Sequence, residues 1–77
     1  MFTTDKELYE TIGAMIKENR VRCGMTQQNL ADLCEIEKAN ISRIERGCTN
    51  VTLKTLYRIS VSLNVPMRDL VDFKMND

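Results

Sequence analysis

The 77-residue chain has no histidine and no tryptophan, a single proline, three glycines and only four aromatic residues. Without histidine, the commonest general base and metal ligand are both missing. Gly13, Gly24 and Gly47 stand far apart, so there is no glycine-rich phosphate loop. Cys23, Cys34 and Cys48 are odd in number and form no CxxC pair. Neither a zinc site nor a disulfide framework is expected, and the three are read as reduced, packing thiols. No nucleophile stands beside a base, so the usual catalytic constellations cannot be assembled. The expectation is a protein that is not an enzyme and takes no cofactor and no metal. No apolar run approaches the ~20 residues of a membrane span, and no basic segment followed by an apolar one opens the chain. A cytoplasmic location and no membrane partner are therefore expected.

What the chain does contain is the balance of a globular protein, 43% hydrophobic and 29% charged residues. No repeat, low-complexity tract or linker divides it, so a single domain over residues 1–77 is expected, with its core from about 8 to 72 and a frayed tail over 73–77. A chain this short buries only ~60% of its unfolded surface. A compact all-α bundle of five helices with short connections satisfies that limit.

Eleven basic residues balance eleven acidic ones. Zero net charge argues against a nucleic-acid partner, but the distribution is uneven. Between Lys38 and Arg58, the five cations Lys38, Arg43, Arg46, Lys54 and Arg58 face the single acid Glu45. Asp5, Glu7 and Glu10 outweigh Lys6 at one end, and Asp69, Asp72 and Asp77 outweigh Lys74 at the other. Two readings stay open: one basic face with an acidic back, or a fluctuation on a solvated surface.

Thr4 and Glu7 fit a capping box, which predicts a first helix from about Asp5 to Cys23, stopped at Gly24. Its inner face is Leu8, Ile12, Met15 or Ile16, and Val21. Gly13 costs ~1 kcal/mol of helix propensity relative to alanine, which predicts close packing of another helix over it. Thr26 caps a second helix, about Gln27 to Cys34, and Glu35-Ile36-Glu37 form a turn. A third helix runs from about Lys38 to Arg46 and ends at Gly47. After a loop over Cys48–Val51, Thr52 caps a fourth, in which Leu53, Leu56, Ile59 or Ser60, and Leu63 recur at helical spacing. Asn64 ends it, and Val65-Pro66-Met67 opens a short fifth helix through about Asp72.

The stretch Thr26–Gly47, TQQNLADLCEIEKANISRIERG, organises the rest. Leu30, Ala31, Cys34, Ile36, Ile41 and Ile44 are spaced so that two short helices share one seam. At 100° per residue, Ile41 and Ile44 lie about 60° apart on the third helix, with Ala39, Arg43 and Arg46 roughly opposite. Thr26-Gln27, Leu30-Ala31, Ile41-Ser42-Arg43-Ile44-Glu45 and Arg46-Gly47 together resemble the helix-turn-helix of the Cro and phage-repressor family, also called the Xre family. The resemblance runs from about Ile12 to Val71.

That resemblance implies a lambda-repressor-like bundle, with the helix-turn-helix formed by the second and third helices. It implies a sequence-specific transcriptional regulator of bacterial or phage type, bound as a homodimer to a palindromic operator in double-stranded DNA. The third helix would enter the major groove with Lys38, Ala39, Ser42 and Arg43 toward base edges. Arg43 suits a bidentate contact to guanine O6 and N7, Lys38 the same acceptors or a phosphate, and Ala39 a thymine methyl. Gln27 becomes a phosphate clamp and Gln28 a second contact, at a helix start that favours anions. Arg46, Thr49, Asn50 and Lys54 flank the third helix and suit the adjoining phosphates. Glu45 lies about 40° from Ile41 on the helix wheel, at the border of the buried stripe. By resemblance it pairs with Arg20, as a structural and not a catalytic pair.

By the same resemblance Val65, Met67, Leu70, Val71 and Phe73 supply the dimer surface, although they can equally close the monomer core. Phe2 and Tyr9 can join either. Glu35 stands where the family usually has glycine, and Glu37 where a serine or threonine cap is common. The Glu37 carboxylate would either accept from a cytosine amino group or repel wrong sites. No appended sensing domain is visible, so no small-molecule ligand is expected, and control through the protein's own concentration fits better, as in controller proteins and autoregulated repressors. The alternative function is a protein-binding module, an antitoxin or adaptor using the same fold.

Overall fold

The computed structural model describes residues 4–73. The expectations for Phe2, Lys74, Asp77 and the end of the tail lie outside the described residues. Among those described there are four α-helices and no strand: α1 (Asp5–Arg22), α2 (Gln27–Cys34), α3 (Lys38–Glu45) and α4 (Leu53–Leu63), followed by a 3-10 turn at Met67–Asp69.

Three of the four helix starts are written into threonines. The hydroxyls of Thr4, Thr26 and Thr52 accept from the backbone N–H of Glu7, Asn29 and Thr55 at 3.1, 3.0 and 3.2 Å. At α2 the box is complete, because the Asn29 carboxamide oxygen accepts from the Thr26 N–H at 3.0 Å. Such caps contribute ~1 kcal/mol each. The start of α3 differs, since Glu37 makes no side-chain cap bond.

The four helix ends share one solution. A residue just past the last turn takes a positive φ, and its N–H and the next one fold back to carbonyls inside the helix. Gly24 (72°), Glu35 (58°), Gly47 (73°) and Asn64 (56°) are those residues. The outer bonds are Met25 to Arg20, Ile36 to Ala31, Cys48 to Arg43 and Val65 to Ser60, all between 2.9 and 3.1 Å.

The core is Ile16, Leu30, Ala31, Cys34, Ile41, Ile44, Leu56, Ile59, Leu63 and Leu70. Of the alternatives on α1, Ile16 is fully buried, whereas Met15 is half-buried. Val21 is a correction: it lies about 140° from Ile16 around α1 and is 59% exposed. Leu53, the first residue of α4, is likewise a correction: it is 73% exposed and stands outside the core. Ile59 and Ser60 are both inside, with the Ser60 hydroxyl donating to the Tyr57 carbonyl at 2.7 Å. All three cysteines are free, but only Cys34 packs; Cys23 and Cys48 are exposed, which corrects their reading as packing thiols.

The expected fifth helix is a single 3-10 turn. Pro66 sits before it in an extended conformation, and the bonds that follow, Asp69 to Pro66, Leu70 to Met67 and Val71 to Arg68, all span three residues. The turn delivers Leu70 into the core with no exposed surface. Of the two roles open to Leu70, its side chain fills the one inside the monomer core.

Close approach of α1 to the end of α3 positions the putting-together of the motif. A Cβ added to Gly13 would strike the Ile44 carbonyl oxygen and lie 2.7 Å from that of Glu45. One added to Gly47 would lie 2.6 Å from the Glu10 Cα. Two backbones therefore meet where no side chain fits, as the low helix propensity of Gly13 had suggested. No described helix is long and apolar enough to cross a membrane.

Candidate nucleic-acid interface

α3 has two unlike faces. Ile41, Ile44 and Glu45 are buried, while Lys38, Ala39, Asn40, Arg43 and Arg46 are exposed and Ser42 is half-exposed. Its outer surface therefore carries cations, an amide and a methyl, the groups that match major-groove donors, acceptors and thymine methyls.

The buried side is tied down by one charged network. Arg20 Nε donates to Glu45 Oε2 at 2.6 Å and Arg20 Nη2 to Glu45 Oε1 at 3.0 Å, a two-pronged pair linking α1 to α3. A third donor, Arg20 Nη1, reaches the Met25 carbonyl at 2.8 Å, and the Gln27 amide donates to Glu45 Oε1 at 3.0 Å. The network so joins α1, the entry to α2, and α3. The hydrogen bond from Glu45 raises the Arg20 pKa above the ordinary guanidinium value, burial opposes the rise, and the Glu45 charge adds to it. Among the described residues, no buried side-chain nitrogen or oxygen lacks a partner.

Around α3 the remaining expected residues fall into place unevenly. Gln28 is exposed and its amide donates to Asp32 at 2.8 Å. Gln27 is half-buried, its amide turned inward to Glu45. Thr49, Asn50 and Lys54 are exposed. Thr49 and Asn50 line a notch of about 190 Å³ with Asn40, Ile44 and Thr55, which brings the loop after α3 beside the helix itself. Arg46 Nε donates to the Ser42 carbonyl at 3.3 Å. Arg58, the last cation of the basic stretch, lies instead in a groove between α2 and α4 with Leu33, Glu35 and Tyr57.

Asn40 was not anticipated. It is exposed on α3, lines the notch, and its carboxamide oxygen accepts a hydrogen bond from Arg43 Nη2. The signal available was its place three residues before Arg43, a spacing that puts two helical side chains together.

A two-helix motif with a buried seam, a locked inner face and a cationic outer helix defines a helix-turn-helix DNA-binding protein. The helix-turn-helix family model HTH_3 matches residues 16–70, and the chain belongs to that family of DNA-binding transcriptional regulators. It is 39% identical over 62 residues to the control protein C.BamHI of Bacillus amyloliquefaciens, covering 79% of this chain and 76% of that protein. In structure it is similar to the restriction-modification controller protein C.AhdI from Aeromonas hydrophila, with a TM-score of 0.79 and 27% identity over 80% of this chain and 94% of that one. It is similar also to the restriction-modification controller protein C.Esp1396I, with a TM-score of 0.77 and 34% identity over 84% of this chain and 86% of that one.

Proposed function

We propose that the chain is a transcriptional regulator of the controller type, which binds a palindromic operator as a homodimer with α3 in the major groove. The observation that carries this reading is the division of α3. Glu45 fastens one face to Arg20 and Gln27, while Lys38, Ala39 and Arg43 stand out from the other. Arg43 reads guanine, Lys38 reads a base or binds a phosphate, and Ala39 and Ser42 pack against the groove. Gln28, Arg46, Thr49, Asn50 and Lys54 contact phosphates, which fix register without reading sequence. Gln27 acts chiefly through Glu45 and meets phosphate with its backbone N–H.

A single module of this kind covers only ~600–1,000 Å² of DNA-facing surface, so two-fold pairing is the route to affinity. It sets half-sites about 34–36 Å apart. The names of the controller proteins point to a restriction-modification operon as the setting.

The test is fluorescence anisotropy on sites selected from a random DNA pool. Affinity should fall with salt at a log-log slope near −0.9 per phosphate neutralised, the selected sites should be palindromic, and Arg43→Ala should erase roughly tenfold of the base discrimination. Absence of salt-sensitive binding, together with no effect of Arg43→Ala, would sink the regulator reading in favour of an antitoxin or adaptor module.

A further inference from the structure

We infer that Asn40 is a positioning residue for Arg43, and that the two work as one reader whose guanine preference depends on their mutual hydrogen bond. This rests on the DNA-binding reading of α3. Arg43 is an exposed, long side chain with no ion pair among the described residues, so in solution its guanidinium would sample many rotamers. Immobilising such a side chain on binding costs conformational entropy. In the structure one of its terminal nitrogens donates to the Asn40 carboxamide oxygen, a contact that favours one placement of the guanidinium.

The bond joins residues on adjacent positions of one helical face, 100° per residue placing them about 60° apart. It uses a single donor of the five that a guanidinium carries, so the two needed for guanine O6 and N7 stay available. It also narrows the orientations open to the fork, which favours a bidentate contact. The amide nitrogen of Asn40 is left as a donor of its own beside the guanidinium. Asn40 in turn sits against the loop after α3, where it shares the notch with Thr49 and Asn50. The reader is thereby referenced to the loop that would hold the flanking phosphates.

The experiment measures affinity for the selected operator and for variants with each half-site guanine replaced, using the full chain and Asn40→Ala and Asn40→Asp. Asn40→Ala should reduce discrimination at one guanine position by roughly tenfold, leaving affinity for unrelated DNA within about twofold and the salt slope unchanged. Asn40→Asp keeps the acceptor, so it should preserve the discrimination ratio while its added charge weakens binding to every site alike. The thermal midpoints should match, since Asn40 is exposed. If Asn40→Ala retains the wild-type preference, or Asn40→Asp loses it equally, the positioning role is overturned while the function stands. If the wild-type chain shows no salt-sensitive DNA binding, the function and this role fall together.

Discussion

At the scale of single residues, Glu35 is the least comfortable part of the motif. Four helices end on a left-handed residue, and at three of them it is a glycine or an asparagine, which tolerate that conformation. Glu35 has φ 58° with a full side chain, and it forms no ion pair among the described residues to compensate. A left-handed L-residue costs roughly 1–2 kcal/mol, while glycine gives back ~0.5–1 kcal/mol through its looser unfolded chain. Glu35→Gly should therefore raise stability by about 0.5–1 kcal/mol, seen as a higher urea midpoint with an unchanged slope. A lower midpoint would mean that the Glu35 side chain contributes contacts in the groove beside Arg58 that outweigh the strain.

At the scale of elements, the Arg20–Glu45 pair decides whether α3 is held in place. Its side chains are 10% and 2% exposed, so deleting one leaves the other buried and incompletely paired. Arg20→Ala should cost about 3–5 kcal/mol, far more than removal of the exposed Arg22–Glu18 pair, which is worth ~0–1 kcal/mol. The pH sign follows from the raised Arg20 value. A cation whose folded pKa is raised contributes stability that is fully present below its unfolded value and is lost only as pH climbs through the folded one. The gap between wild type and Arg20→Ala in urea titrations should then stay constant from about pH 7 to about pH 10; a gap that closes in that range would show that the guanidinium is not what holds the pair.

These elements also mark what could be read beforehand. Helix limits were legible to within a residue or so because caps are local: a threonine hydroxyl three residues from its donor, and a glycine or asparagine at each of three helix ends. The Arg20–Glu45 pair was accessible through the family resemblance and the position of Glu45 beside the buried stripe. The inward turn of Gln27 was not, because its partner stands 18 residues away and is met only after α2 and α3 pack. Asn40 carried no distinguishing signal in the sequence beyond its i, i+3 spacing to Arg43. The segment after Pro66 forms only a 3-10 turn where a fifth helix is expected, because six residues carry no periodicity long enough to separate a helix from one turn.

At the scale of the whole molecule, the acids divide between the two ends of α3, where Glu37 stands at its start and Glu10 meets Gly47 just past its end, and surfaces away from it. Glu7, Glu10 and Glu18 line a shallow depression along α1, and Asp69 and Asp72 flank a second beside Glu18 and Arg22. The outward cations Lys38, Arg43 and Arg46 therefore share the surroundings of α3 with carboxylates, and only part of the acid lies on an opposite side. The proposed pairing needs apolar surface that the monomer leaves uncovered, and the C-terminal segment is divided in this respect. Leu70 is fully buried, whereas Val65, Met67 and Val71 are half-buried against the rim of the core, and Phe73 is half-buried. Leu70→Ala should therefore destabilise the fold by about 2–5 kcal/mol in either oligomeric state. Met67→Glu places a charge on the rim, and should shift sedimentation equilibrium from dimer toward monomer and weaken operator binding while the helical circular dichroism is retained. A wild-type chain that sediments as a monomer would overturn the pairing itself; a dimeric wild type left unchanged by Met67→Glu would place the contact on another face, with the exposed apolar residues of α4, Leu53, Tyr57 and Val61, as the surface to substitute next.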